Sequence, residues 1–474
     1  MPFNHPRRLL WASLFLSTLA AAGEPFPSTY QPLPSTPLLI RDATVLIGDG
    51  SKIESGDVLV RDGKIVAVGA NLTAEAGVTE INGSGRVLTP GIIDIHSHLG
   101  VYASPGLQGH QDGNEATDPV TPGVWAEHSI LPDDPGFDAA RAAGVTSMLI
   151  LPGSANLIGG RAVAVRNVPA QTYQQMKFPG APHGLKMACG ENPKRVYGSL
   201  GRAPQTRMGN VAGYRQAFAD AQQYLDDWQR YDKALAEYTK KQAEAASSKK
   251  KSKDQKEPGE PPKAPHRDLK LETLAGVLKG EILVQNHCYR SDEMANQLDL
   301  AKEFGFKITT FHHATEAYQI ADLLAENGTC AAMWADWWGF KLEAFEGVQE
   351  NIAIVDRVKN GCAIVHSDSS EGIQRLNQEA AKAMARGNAM GYGIDSAHAI
   401  RWLTENPAKA MGILDQTGTI AAGKRADLVL WNRDPFSVYA LPDSVFIDGA
   451  EVYARTDPKK QHVSDFRLGT EVQP

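Results

Sequence analysis

Cysteine, excess positive charge and long apolar runs are all scarce in this chain. Four cysteines among 474 residues are too few for a disulfide framework, which excludes a small disulfide-stabilised scaffold. The 48 Lys and Arg residues are outnumbered by 55 Asp and Glu, and the formal net charge is −7. No basic field therefore attracts nucleic acid or an anionic membrane. The apolar run near the start is too short for a comfortable membrane span and no later stretch approaches one, so no membrane-spanning helix is expected.

The first residues have the pattern of an export signal. Arg7 and Arg8 precede an apolar run from Leu9 to Ala20, and small residues follow at positions 20–22. We expect residues 1–23 to be a cleavable signal peptide and residues 24–37, which are rich in Pro and Ser, to be an extended leader. The protein is therefore predicted to be periplasmic or secreted.

The positions of two cysteines in the sequence suggest one candidate disulfide. Cys330 and Cys362 open two consecutive apolar runs and would lie side by side if those strands pair. The sequence leaves open whether they are bonded. Cys189 and Cys288 fall inside segments that carry candidate site residues.

Short-strand patterns occupy both ends of the chain. An alternating run at residues 58–68 is broken by Asp62-Gly63, a strong signal for a tight hairpin, and a similar device recurs at residues 444–453. Neither end has enough strands for a stable core of its own. Residues 38–88 and 415–474 are therefore predicted to form one composite β-sandwich.

Between the two ends, at residues 89–414, predicted strands alternate with helices, which is the pattern of a parallel sheet. Buried runs occur at residues 87–99, 145–151, 184–189, 281–287, 307–313, 329–334 and 362–368. A polar helical stretch that becomes rich in Lys, Glu and Pro interrupts the rhythm at about residues 213–268. We expect it to be a solvated insertion between two strands of a βα barrel.

Residues with metal-binding or proton-transfer chemistry fall at the carboxyl ends of these predicted strands. They are His96, His98, Glu191, His287, His313 and Asp368. In a parallel βα barrel all carboxyl ends open onto one face, so these distant residues would converge in one pocket. An isolated His-x-His more often belongs to a half-buried strand with hydrogen-bonded histidines. Recurrence in strand after strand favours a metal site.

Several motifs resemble the amidohydrolase superfamily, most closely its imidazolonepropionase-like branch. They are Pro-Gly-Ile-Ile-Asp-Ile-His-Ser-His at residues 90–98, Gly-Glu-Asn-Pro-Lys-Arg-Val-Tyr at 190–197, His-Ala-Thr-Glu at 313–316 and Asn-Pro-Ala-Lys-Ala-Met-Gly-Ile at 406–413. The resemblance implies a distorted (β/α)8 TIM barrel with a β-sandwich built from both chain ends. It also implies one or two divalent cations, for which Zn²⁺ is the default with His and carboxylate ligands.

The same resemblance implies the ligand set. His96 and His98 match first-strand ligands, and the ligands on the fifth, sixth and eighth strands are His287, His313 and Asp368. The superfamily places either a glutamate or a carboxylated lysine on the fourth strand. Strand geometry favours Glu191, at the mouth of the strand, over Lys186 within it, and both remain open.

Two further histidines are expected to have supporting roles. His312 precedes His313 and, by strand alternation, should face the opposite side of the strand. His366 shares its strand face with Asp368 and is expected to be a buried, hydrogen-bonded residue.

A divalent metal supplies hydroxide at neutral pH by lowering the pKa of bound water toward ~7. Asp368 would take the proton of the attacking water and deliver it to the leaving nitrogen. Three residues are candidate substrate contacts. Arg290 could pair with a carboxylate, Asn156 lies in a polar loop, and Trp337 could form an aromatic wall. The alternatives are a helix-capping role or a surface ion pair for Arg290, and core packing for Trp337.

The sequence therefore predicts a metal-dependent hydrolase of a carbon–nitrogen bond in a small amide, a cyclic amide or a short peptide. A mononuclear deaminase or imidazolone-ring hydrolase is an alternative. Those relatives place a Glu three residues after the fifth-strand histidine, where this chain has Arg290, and they lack a bridging ligand such as Glu191. A non-catalytic metal-binding barrel that serves as a binding protein is the alternative from another class. The sequence leaves open the substrate, the metal and whether the chain is a homo-oligomer.

Overall fold

The computed structural model describes residues 25–74, 76–247 and 259–461. The predicted signal peptide at residues 1–23 and most of the lysine run at 247–254 lie outside these ranges. Among the helices of the described ranges, none combines the length and the apolar character that crossing a membrane requires.

The described strands and helices alternate through the middle of the chain. The strands are β1 (Leu38–Leu46), β2 (Lys52–Arg61), β3 (Lys64–Gly69), β4 (Thr79–Asn82), β5 (Val87–Pro90), β6 (Ile92–Ser97), β7 (Val145–Ile150), β8 (Ile158–Arg166), β9 (Gly184–Ala188), β10 (Leu283–His287), β11 (Ile308–His312), β12 (Cys330–Met333), β13 (Ala363–Val365), β14 (Leu428–Trp431), β15 (Pro442–Ile447) and β16 (Ala450–Ala454). The helices are α1 (Pro135–Ala142), α2 (Tyr173–Met176), α3 (Glu191–Ser199), α4 (Arg207–Ser247), α5 (Leu269–Leu278), α6 (Ser291–Phe304), α7 (Ala321–Glu326), α8 (Asn351–Arg357), α9 (Leu376–Ala389), α10 (Ser396–Ala399) and α11 (Glu405–Ala410).

Strands β6 to β13 form one eight-stranded sheet in chain order. Hydrogen bonds bring its two edges together, because the Asp368 N–H donates to the His96 carbonyl at 3.0 Å and the Ser367 N–H donates to Asp94 Oδ1 at 3.2 Å. Neighbouring strands are parallel except β8, which runs antiparallel to both β7 and β9. The predicted distorted barrel is confirmed.

The sequence did not predict β8, because its first residues were interpreted as part of a polar, glycine-containing loop. Gly160, with φ of 135°, lies where a β-carbon would clash with the Val124 carbonyl oxygen. The glycine therefore allows a close approach of two backbones inside a regular strand.

Both chain ends contribute to a second eight-stranded sheet, in the order β16-β15-β14-β5-β1-β2-β3, with β4 alongside β1. The join is the antiparallel pairing of β14 with β5. Asp62 and Gly63 both have positive φ at the β2–β3 turn, and Asp448 and Gly449 repeat this conformation between β15 and β16. The predicted association of the two ends is confirmed, in the form of a single sheet.

A buried ion pair links the barrel to this sheet. Arg166, the last residue of β8, donates through its two terminal nitrogens to the two carboxylate oxygens of Asp427 at 2.6 and 2.5 Å, and one of them also lies 3.1 Å from Asp448. Burial opposes ionisation of Asp427, but the Arg166 guanidinium holds the pKa of that carboxyl below its usual range.

The stretch that predicts a polar insertion forms most of α4. Tyr214 and Phe218 are buried near its beginning, where α4 packs against α5 and α6. Beyond Tyr224 the helix is mainly exposed. This part of α4 is polar because few other elements pack against it and most of its side chains face solvent.

All four cysteines are paired. Cys330 is bonded to Cys362, the pairing that the sequence left open. Cys189 is bonded to Cys288, which the sequence did not predict. These two residues are far apart in the chain and meet because β9 and β10 are neighbours in the sheet.

Candidate metal centre

Side chains from the first and last barrel strands meet at the carboxyl face. His96 Nε2 lies 3.3 Å from His98 Nε2 and 3.4 Å from Asp368 Oδ1, and His98 Nε2 lies 3.1 Å from the same oxygen. These three residues form one of two groups in the described residues that could hold a metal ion; the other is His96, His312 and His366. The structure therefore brings together three of the six predicted ligands at metal-site spacing.

Hydrogen bonds orient the ring of His98. Its Nδ1 lies 2.8 Å from the Leu151 carbonyl oxygen, which can only accept. Nδ1 therefore carries the proton, and Nε2 presents its lone pair to the cluster.

A relay of buried groups orients His96 in the same sense. The Gln285 amide nitrogen donates to the Ala410 carbonyl at 3.2 Å, so its oxygen accepts from His312 Nε2 at 2.8 Å. His312 Nδ1 then accepts from His96 Nδ1, 2.9 Å away. His96 Nε2 is left with a free lone pair, as a metal ligand requires.

His287 and His313 lie close together in the same cluster. Their ring centroids are 4.6 Å apart, and His313 Nε2 is 3.8 Å from Asp368 Oδ2. The Nδ1 atoms of both are buried and have no hydrogen-bond partner among the described residues. Buried polar atoms normally have partners, so these orphaned nitrogens fit a donor set for a divalent cation.

His312 does not face away from the site, contrary to the expectation from strand alternation. Its ring lies 4.7 Å from that of His96, and the His313 ring lies 4.6 Å from His96 on another side. The cause is the left-handed backbone of His313, with φ of 66°, directly after β11 ends. Asp368 is also left-handed, with φ of 50°, and such strain concentrates at functional sites.

Of the two candidates for the fourth-strand ligand, Lys186 contacts the cluster directly. Its Nζ lies 3.3 Å from His96 Nε2, and burial lowers its pKa to about 8. Glu191 begins α3, where its carboxylate lies 3.7 Å from Lys341 Nζ, and it belongs to neither metal-capable group. Gly190, with φ of 79°, lies between the end of β9 and Glu191. Whether Glu191 or Lys186 is the fourth-strand ligand therefore stays a prediction to be tested.

Burial dominates the electrostatics of the cluster. It lowers the pKa values of four histidines well below the ordinary value, so these rings are neutral: His96, His287, His312 and His313. Burial alone would raise the pKa of Asp368, but the neighbouring His98 and Lys186 side chains outweigh it and lower that pKa. Neutral imidazoles and an ionised carboxylate are the protonation states that bind metals.

A cavity of about 320 Å³ opens beside the cluster. Its wall includes His98 and Asp368, and the other polar side chains that line it are Tyr102, Asn114, Ser154, Asn192 and Arg195. Arg195 lies on α3 and forms no ion pair with any described residue. The sequence did not single out Arg195, whose only signal was its place on the helix after the fourth strand.

The three predicted substrate contacts do not line this cavity. Arg290 is exposed and forms a two-pronged ion pair with Asp292. The buried Asn156 amide donates to the Asp118 carbonyl at 2.8 Å. Trp337 stacks on Trp334 with ring centroids 4.7 Å apart. Arg290 and Asn156 are thus engaged by other groups of the protein, whereas Trp337 is 39% exposed and does not pack in the core.

Comparison with known proteins gives consistent relatives. The model of the amidohydrolase family matches residues 346–453. A solved structure described as an amidohydrolase from Thermotoga maritima is 34% identical, with a TM-score of 0.73, and the match covers 88% of this chain and 100% of that one.

Two curated relatives are similar in sequence. The protein called amidohydrolase tasK, from Hapsidospora irregularis, is 33% identical over 92% of this chain and 43% of its own length. A dihydroorotase from Pelotomaculum thermopropionicum is 33% identical over 20% of this chain and 22% of its own length. The chain thus spans less than half the length of these two relatives.

Proposed function

Because this chain belongs to the amidohydrolase superfamily, we propose that it hydrolyses a carbon–nitrogen bond with one or two divalent cations held by the cluster at the carboxyl face of the barrel. The observation that carries the proposal is the convergence of His96, His98 and Asp368 with Lys186. The substrate is a small amide, a cyclic amide or a short peptide.

The ligands of these cations are His96, His98, His287, His313 and Asp368, together with Lys186 after carboxylation. A divalent cation bound there, with Zn²⁺ as the default for these ligands, would supply an activated water and would polarise the scissile carbonyl. Reaction of the neutral Lys186 amine with CO2, with loss of one proton to solvent, would convert it into an anionic carbamate with two oxygens. Its position 3.3 Å from His96 supports Lys186 over Glu191 as the bridging residue.

Asp368 moves the proton in this mechanism. Its carboxylate lies within 3.1 Å of His98 Nε2, and its side chain is a quarter exposed on the cavity wall. It accepts the proton of the attacking water and delivers it to the leaving nitrogen. Its left-handed backbone holds the carboxylate at the junction of the first and last strands.

Arg195 is the proposed contact for an anionic group of the substrate. It is the one Lys or Arg side chain among the described residues that line the cavity, and it lies on the wall that also contains Asp368. A guanidinium without an ion-pair partner is suited to bind a carboxylate through two hydrogen bonds. Arg290, already paired with Asp292, loses this role.

Export to an oxidising compartment is part of the proposal. The expected signal peptide and the two disulfides support it, because disulfides persist mainly in secreted and periplasmic proteins. Fractionation of cells that express the full chain, with antibody detection, tests this: recovery in the cytosol at full length would contradict export.

The activity is tested with metal-loaded protein and a panel of N-acyl amino acids, cyclic amides and dipeptides. We expect Asp368→Asn to lower kcat about 10²–10⁴-fold for any substrate that wild type cleaves. Asp336→Asn, a change of an exposed carboxylate, is the matched control. Full turnover by Asp368→Asn would contradict the role given to Asp368. Release of ammonia from amines alone would favour a deaminase, and ligand binding without turnover would favour a binding protein.

A further inference from the structure

The disulfide between Cys189 and Cys288 lies directly beside the candidate metal ligands. Cys189 follows the last residue of β9, the strand that contains Lys186, and Cys288 follows His287, the last residue of β10. The two Cα atoms are 5.2 Å apart, and both residues are buried. The bond therefore joins two ligand-bearing strands at the level where they enter the cluster.

We propose that this disulfide positions the metal site: it fixes the spacing of His287 and Lys186 and thereby raises the affinity of the cluster for divalent cations. The inference rests on the proposed metal-dependent function. Affinity depends on ligands being held near the required geometry before the ion binds, and covalent linkage at the strand ends provides this.

The backbone around the disulfide explains why a link is effective there. The Cys189 N–H donates to the His287 carbonyl at 2.9 Å, and the Cys288 N–H donates to the His312 carbonyl at 3.0 Å. These bonds extend the ladder one residue beyond the strands. At Gly190, with φ of 79°, the chain then turns into α3. The disulfide thus links the two strands at the last hydrogen-bonded position before their backbones diverge.

His287 also has less support for its ring than the first-strand ligands have. The rings of His96 and His98 are each oriented by a hydrogen bond, of 2.9 and 2.8 Å, whereas no bond as short holds either nitrogen of the His287 ring among the described residues. The amide of Asn192 lies 3.4 Å from His287 Nε2. The position of His287 therefore depends more on its backbone, which the disulfide restrains.

The second disulfide provides an internal control. Cys330 begins β12, and Cys362 directly precedes β13, so this bond joins two neighbouring parallel strands at their amino ends. Both residues are buried, as in the first pair. The two bonds are thus alike in strand context but lie at opposite faces of the barrel.

The test compares two double variants, Cys189→Ser with Cys288→Ser and Cys330→Ser with Cys362→Ser. Zn²⁺ affinity is measured by competition with a chromophoric chelator, and the absorption spectrum of Co²⁺-loaded protein reports ligand geometry. We expect the first variant to bind Zn²⁺ at least tenfold more weakly, with an altered Co²⁺ spectrum. The second should melt at lower temperature, while its affinity stays within twofold of wild type.

Equal Zn²⁺ affinity in the first variant and wild type would overturn the inference and leave the proposed function intact. Equal losses in both variants would also overturn it, because the effect would then be general destabilisation. A wild-type protein that binds no divalent cation would overturn both proposals.

A second measurement covers the case in which the first variant does not fold. Coupling between two sites is reciprocal, so bound Zn²⁺ should protect the Cys189–Cys288 bond in wild type. Graded reduction, alkylation and mass spectrometry follow each bond in metal-free and Zn²⁺-loaded protein. We expect protection of Cys189–Cys288 alone. Equal protection of the Cys330–Cys362 bond, or protection of neither bond, would contradict the inference.

Discussion

Buried residues around the cluster fix the tautomers and orientations of the candidate metal ligands. Gln285 fixes the tautomer of His312, which in turn makes His96 present the lone pair of Nε2 to His98 and Asp368 in the cluster. The Gln285 amide is itself oriented by the Ala410 carbonyl. This relay gives a buried glutamine, outside the cluster, an influence on a ligand.

Gln285→Leu should weaken Zn²⁺ binding about 10–100-fold, because it leaves the buried His312 Nε2 without an acceptor and releases the tautomer of His96. Chelator competition measures the affinity. Asn286→Leu is the matched control, since its amide contacts Gln297 Oε1 at 3.2 Å on the other side of the same strand. If both variants kept wild-type affinity, the relay would have no role in metal binding.

Arg195→Ala should raise KM at least tenfold for substrates with a free carboxylate and change little for the corresponding amides, because the ion pair is made only with the anion. Steady-state kinetics on matched acid and amide pairs measures this difference. Arg290→Ala is the control and should leave KM unchanged. Equal changes for acid and amide would contradict the role of Arg195.

At this scale the sequence predicts that strand-end side chains converge, but it does not predict the groups that surround them. His96 and His98 follow from strand alternation, because both lie within or next to a regular strand. The rule fails at His313, where a left-handed residue turns the side chain toward His96. Contacts such as that of Arg195 with the cavity depend on how helix α3 is placed, which local sequence does not determine.

At the scale of elements, β8 is the irregular part of the barrel. It runs against its neighbours and carries Gly160 in a backbone conformation that other residues rarely adopt. Buried apolar runs separated by helical segments predicted the parallel strands. They did not predict β8, whose glycines interrupt the pattern, or the Cys189–Cys288 bond, which depends on sheet order.

Gly160→Ala should lower the free energy of unfolding by about 3 kcal/mol, because the β-carbon both strains the backbone and meets the Val124 carbonyl. Chemical denaturation measures the change. Gly106→Ala, at a position with open space and no positive φ, should change stability by less than about 1 kcal/mol. A neutral Gly160→Ala would show that β8 is not packed as described.

For the whole molecule, the junction of barrel and sheet depends on buried charge. Arg166 is fully buried against two carboxylates, those of Asp427 and Asp448. Removing one member of such a group leaves a buried charge without a partner. The free energy of unfolding then falls by more than the intact group contributes to it.

Arg166→Met should lower the free energy of unfolding by about 3–5 kcal/mol at pH 7. In wild type the Asp427 pKa is lowered, so its contribution is present above the unfolded pKa of about 3.9 and is lost as pH falls through the folded value. In the variant, the pKa of the buried and unpaired Asp427 rises above its unfolded value. As the pH falls, Asp427 takes up a proton, so the variant's loss of unfolding free energy relative to wild type should be smaller at pH 5 than at pH 7. Denaturation at both pH values measures it.

Arg401→Met, which breaks the partly exposed pair with Glu405, is the control and should lose less than about 1 kcal/mol at either pH. A deficit for Arg166→Met that grew as the pH fell would contradict the account of this junction.

The central claim is a metal centre that is bridged from the fourth barrel strand by Lys186. Elemental analysis of purified, metal-loaded protein tests it directly, with Lys186→Ala and Glu191→Ala beside wild type. We expect Glu191→Ala to bind as many divalent cations per chain as wild type, and Lys186→Ala to lose at least one. Loss of a cation in Glu191→Ala but not in Lys186→Ala, or a wild-type protein without bound cations, would contradict it.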